Sequence, residues 1–145
     1  MWLALRQAGR SGYVQRIGHD IRLSERLFGL VDAHPAFEAL TQGLSITTFQ
    51  YVPEDLRPDL GQTGVASYID RLIQALLERI QSSGEAFVSN AVIRGRYALR
   101  PCIVNLNTTL ADIEALPEII ERLGRDVDAS LRSRVDAPIN LASVR

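Results

Sequence analysis

Apolar residues recur along this chain at two spacings, steps of three to four and steps of two, and the change from one to the other sets out the elements. The sharpest segment holds Ile69, Leu72, Ile73, Leu76, Leu77 and Ile80 on one stripe, with Gly84 just past its end. That spacing predicts an amphipathic helix whose apolar face must be buried. Upstream, Tyr13, Ile17, Ile21, Leu27, Phe28 and Val31 fall near a period of about 3.6 residues. Ser11 is a candidate N-cap for this second helix, and His34-Pro35 closes it. Residues 2–7 are apolar and short, and Gly9 and Gly12 set them apart as a brief helix.

Residues 44–52 are rich in β-branched and aromatic side chains and end at Pro53, which predicts a strand. The pattern assigns no element to 37–43. A loop with Pro53, Pro58, Gly61 and Gly64 leads into the sharp helix. Beyond it, 87–93 and 97–105 read as two antiparallel strands joined at Arg94-Gly95-Arg96, where glycine can supply a positive φ. Thr109 with Asp112 forms a capping-box start, and Ile113, Leu116, Ile120, Leu123 and Val127 continue at helical spacing. Pro117 removes a hydrogen bond there, so a kink or a restart is expected at that point. The order predicts an α+β domain over 1–131, an antiparallel sheet of three or four strands with helices on one face, followed by a loosely ordered tail over 132–145. Alternation places Ala98 and Arg100 on the sheet's other face, with Arg96 beside them if it lies in the strand.

Composition adds limits. A chain of 145 residues that is 46% hydrophobic can bury a core without disulfides or metal, and Cys102 has no cysteine to pair with. A net charge of −1 argues against a nucleic-acid or anionic-lipid partner. No stretch has the length of a membrane span or the pattern of a secretory signal, so the expected compartment is the cytoplasm. The sharpest fact is that all 16 basic residues are arginine. Without lysine, no side chain can hold an aldehyde cofactor as a Schiff base, because arginine keeps its proton and acts as a fixed anion fork.

Candidate chemistry is sparse. His19 and Asp20 are helix neighbours that point apart, which argues against an acid–base pair. His34 fits a turn, and no second ligand stands at metal-binding spacing. Cys102 is expected to be a small core residue, and Arg96 and Tyr97 are expected to be exposed at the hairpin. Asp126, Asp128, Glu78 and Glu85 read as solvated helix positions. Arg100 stands out as a charge within an apolar strand, which needs a partner or an opening to solvent; the partners to weigh are a helix carboxylate in a salt bridge and a substrate or neighbouring-domain carboxylate to grip.

Two stretches carry a family resemblance. The first is Met1-Trp2-Leu3-Ala4-Leu5-Arg6-Gln7-Ala8-Gly9 with Gly12-Tyr13, then Pro35-Ala36-Phe37-Glu38 and the strand through Phe49. The second is Gly84-Glu85-Ala86-Phe87-Val88-Ser89, then Arg94-Gly95-Arg96-Tyr97-Ala98-Leu99-Arg100, Cys102-Ile103-Val104-Asn105 and Thr108-Thr109 with Asp112. In order and spacing these resemble the C-terminal small domain of the pyridoxal-phosphate-dependent group II amino-acid decarboxylases, a fold-type I family, and above all its bacterial aromatic-amino-acid-decarboxylase-like members.

The resemblance implies a decarboxylase fragment that is inactive alone. The lysine, histidine and acidic residue that hold pyridoxal 5'-phosphate in that family belong to the preceding large domain, so no catalytic, cofactor-binding or metal residue is expected here. It also implies a large cofactor domain, on the same or a neighbouring polypeptide, as partner, and a dimer or other homo-oligomer. Arg100 takes the position of the arginine that holds the substrate carboxylate in the glutamate-decarboxylase branch. Pro101 and Pro117 depart from the family pattern. The chain starts inside the family's Trp-containing motif, as a truncated product, one part of a split gene or an excised segment would, and an uncovered 2–5 segment is expected to promote self-association. The rival is a stand-alone ligand-binding or dimerisation module without catalysis.

Overall fold

The computed structural model describes residues 2–135, and of these the side chains of 6–133. The elements are α1 (Trp2–Ala33), β1 (Phe37–Gly43), β2 (Ile46–Tyr51), α2 (Thr63–Ser83), β3 (Ser89–Ile93), β4 (Arg96–Arg100) and α3 (Leu110–Val135), with a 3-10 helix at Glu54–Asp59. The strands form one antiparallel sheet in the order β1-β2-β4-β3. The α+β expectation therefore holds, with four strands.

The added strand is β1. Its sequence, Phe-Glu-Ala-Leu-Thr-Gln-Gly, lacks the β-branched run that marks β2, and it becomes a strand by pairing, with Phe37 opposite Tyr51 and Ala39 opposite Phe49. The two helices expected before it run end to end as α1 and are parted where the sequence predicts, because Gly9 sits at φ 61°, ψ 178°, outside helical geometry. The side chains of the apolar segment 2–5 lie outside the described residues.

Register decides what each sheet face carries. Phe37, Phe49 and Leu99 share the face that enters the core, since Phe49 stands opposite Leu99. Against it lie the α2 stripe predicted from sequence, all buried, with Leu23, Leu27 and Val31 of α1 and Ile113, Leu116, Ile120 and Leu123 of α3. Burying each such side chain fully contributes roughly 1.5–3 kcal/mol. α1 also reaches β2 through polar atoms: Ser24 and Thr47 are both fully buried and their hydroxyls lie 3.0 Å apart.

α3 starts as expected. Asp112 Oδ2 accepts from the Thr109 backbone N–H at 2.8 Å, and Thr109 Oγ accepts from the Asp112 N–H at 3.3 Å. Pro117 is buried inside the helix, which does not restart there. α3 continues to Val135, past the domain edge expected at 131, and residues 136–145 lie outside the described residues. Its far end is clamped. Arg132 bonds Asp55 through both terminal nitrogens and Asp128 through Nε, and the Tyr68 hydroxyl donates to Asp128 at 2.5 Å. Asp128 is thus a bonded, half-buried group rather than a solvated one. Burial, followed by the Asp128 contact, pushes the Tyr68 hydroxyl up to about 12.

Candidate functional site

The β3–β4 hairpin carries the polar sheet face. Arg94 and Gly95 form its two-residue turn, both at positive φ (52° and 81°), the geometry that suits the twist of paired strands. Ile93 therefore stands opposite Arg96, which places Arg96 inside β4 rather than in the turn. The same register sets Ser89 opposite Arg100.

Arg96 and Tyr97 are not the exposed pair that the sequence suggests. Arg96 Nη1 donates to Glu38 Oε1 at 2.7 Å, and its Nη2 reaches Glu38 Oε2 and Gln50 Oε1. This bidentate contact holds the Glu38 carboxyl below its ordinary range, against a smaller opposing effect of burial. Gln50, almost fully buried, also donates to the Tyr97 carbonyl at 2.6 Å, while the Tyr97 N–H donates to Asp70 of α2 at 2.8 Å. Side chains thereby satisfy both backbone groups of Tyr97.

Arg100 sits at the exposed end of β4. Its Nε donates to Ser89 Oγ at 3.0 Å, and the Ser89 hydroxyl donates to the Arg100 carbonyl at 3.0 Å. Among the described residues no carboxylate lies within ion-pair distance of Arg100. Of the possibilities open to it from sequence, the internal salt bridge is absent among those residues, and the opening to solvent is present. Ser89 was not singled out by pattern, because its place opposite Arg100 depends on a turn of two residues rather than three.

Pro101 follows and is buried, its carbonyl accepting from the Thr47 N–H at 3.2 Å. Cys102 then points outward, so it is exposed rather than in the core: alternation buries its neighbours Pro101 and Ile103 instead. It lines an open cavity of about 340 Å³ with Phe87, Asn105, Asp112 and Leu116. Arg16 of α1 fastens the loop beyond, donating to the Leu106 carbonyl at 2.9 Å and to the Asn105 carbonyl. Asp20 lies 3.0 Å from Arg16, its ion-pair partner in place of His19. His34 serves the turn, Nδ1 accepting from the Ala36 N–H at 3.2 Å. Among the described residues no three His, Cys, Asp or Glu side chains are grouped as a metal centre needs, and no helix is long and apolar enough to cross a membrane.

No protein-family model matches the chain. An aromatic-L-amino-acid decarboxylase of Bacillus atrophaeus is 25% identical over 131 residues, 90% of this chain and 26% of that protein. The fold of mouse CSAD superposes with a TM-score of 0.77 at 24% identity, over 86% of this chain and 27% of that one. Tryptophan decarboxylase of Catharanthus roseus, solved with L-tryptophan, gives a TM-score of 0.69 at 20% identity, over 87% and 25%. The chain resembles the C-terminal small domain of the group II decarboxylases. It spans about a quarter of the length of these relatives. Oryza sativa TDC, solved with PLP and tryptamine, gives a TM-score of 0.70 at 19% identity, over 86% and 26%; the residues present here do not fit covalent attachment of pyridoxal phosphate, since the sequence contains no lysine.

Proposed function

We propose that this chain is the C-terminal part of a pyridoxal-phosphate-dependent amino-acid decarboxylase, and that it works by packing on a lysine-bearing large domain whose cleft it helps to wall. That domain belongs to the same or a neighbouring polypeptide, and the assembly is a cytoplasmic homo-oligomer. Arg100 faces the cleft and binds a carboxylate.

One observation carries this function. The likeness to decarboxylases runs along nearly all of this chain but takes in only a quarter of theirs, and the quarter in hand lacks the amine that the chemistry requires. The polar sheet face supports it: Arg100 ends β4 exposed and without a carboxylate partner among the described residues, as a group that waits for an anion from outside would. Alone, the chain is catalytically silent.

The test is release of carbon dioxide from aromatic amino acids and from glutamate by the purified 145-residue chain with added pyridoxal phosphate. No turnover above a protein-free control is expected. Turnover that survives repurification and tracks with the chain would overturn the proposal.

A further inference from the structure

Arg100 differs from the other arginines of the sheet and of α3 whose side chains are described. Arg96 and Arg132 have both terminal nitrogens on a carboxylate, Glu38 and Asp55 respectively, and Arg122 and Arg125 have one on Glu85 and Glu121. Arg100 instead spends its Nε on a neutral hydroxyl, and its terminal nitrogens have no partner among the described residues. The Ser89 hydroxyl has one proton to give, which goes to the Arg100 carbonyl, and a lone pair to offer, which takes the Nε–H. Both bonds return to the same residue. They tie the guanidinium plane to the backbone of its own strand.

A carboxylate can meet a guanidinium side-on, through Nε and one terminal nitrogen, or end-on, through both terminal nitrogens. The side-on approach needs the Nε–H that Ser89 already holds. The end-on edge is left open. We infer that Ser89 is a positioning residue that holds Arg100 for end-on recognition of a carboxylate. This rests on the carboxylate role given to Arg100 above and adds the residue that aims it and the edge that is used. Two parallel N–H groups match the two oxygens of a planar carboxylate, and an arginine whose long side chain is already fixed loses less freedom when the anion arrives.

The experiment follows arginine side-chain nitrogen resonances of the full chain, labelled with ¹⁵N-arginine, during titration with sodium acetate and, separately, with sodium phosphate at constant ionic strength. In the wild-type chain the Arg100 Nε–H should exchange slowly with solvent, and acetate should shift the Arg100 terminal nitrogens while leaving the Nε–H bonded. Ser89→Ala should speed that exchange and weaken acetate binding at Arg100 about three- to tenfold. Ser89→Thr, which keeps the hydroxyl, should restore both, and Arg100→Lys, which keeps only the charge, should abolish the site. Equal acetate affinity and equal Nε–H exchange in the wild type and Ser89→Ala would overturn the positioning role while leaving Arg100 as a carboxylate binder. No acetate effect at wild-type Arg100, or a preference there for phosphate, would sink the carboxylate role and this inference together.

Discussion

Gly124→Ala is the substitution whose effect the packing fixes most tightly. Gly124 lies on α3 where the helix crosses β2, and a Cβ built there falls 2.8–2.9 Å from three ring carbons of Tyr51. Carbon atoms at rest stay about 3.5–4.0 Å apart, so the overlap is about 0.6–1.2 Å. Tyr51 cannot easily yield, because it is 3% exposed and its ring meets Phe37 edge-on at 6.1 Å. Overpacking of this kind costs about 1–3 kcal/mol, and the better helix propensity of alanine returns about 1 kcal/mol. The balance is a net loss of up to about 2 kcal/mol, or up to roughly 8 °C in Tm for a domain of this size. Gly29→Ala in α1 is the control, because a Cβ there meets nothing within 4 Å, and it should gain about 0.5–1 kcal/mol. Urea unfolding followed by far-ultraviolet circular dichroism measures both. A Gly124→Ala chain that gains as much stability as Gly29→Ala would refute the contact between α3 and β2.

Three further outcomes are expected. Glu38 has a carboxyl held below its ordinary value of 4.5 by Arg96, so its contribution is present above that value and lost as pH falls through the lowered folded value. Glu38→Gln should therefore lower the urea midpoint at neutral pH and converge with the wild type in acid, and a constant offset at every pH would count against the ion pair. The Tyr68 hydroxyl is raised from 10.0 to about 12, so the stability it lends is complete below 10 and disappears as pH rises through about 12. Tyr68→Phe should remove the latest step of the tyrosinate absorbance titration, and survival of that step would place the perturbed hydroxyl elsewhere. Leu44 is 72% exposed and sits at φ 51° in the β1–β2 turn, so Leu44→Asn should stabilise by about 0.5–1 kcal/mol in thermal unfolding, while a loss would show that its side chain packs on something.

Where periodicity reflects one-sided burial, the fold was legible in the chain. The α2 stripe is buried residue for residue, and the Thr109 capping box forms as spelled. β1 was hidden because strand state there comes from a partner some ten residues away rather than from residue preference. Cys102 and Asp128 were misplaced for a related reason. Which way a side chain points after Pro101, and which tyrosine or arginine crosses from a distant element, are set by tertiary packing. At the candidate site, Arg100 was recognisable as a charge in an apolar strand, whereas Ser89 became visible only once the two-residue turn had set the register.

The central claim is that catalysis belongs to an amine outside this sequence. The native protein containing these residues can be purified from its cell, treated with borohydride to fix any pyridoxal phosphate, and mapped by intact mass and peptide mass spectrometry. The account predicts a pyridoxyl-lysine outside residues 1–145, on the same polypeptide or on a subunit that copurifies in fixed ratio. A native species consisting of these residues alone, with no such lysine in any associated chain, would contradict it.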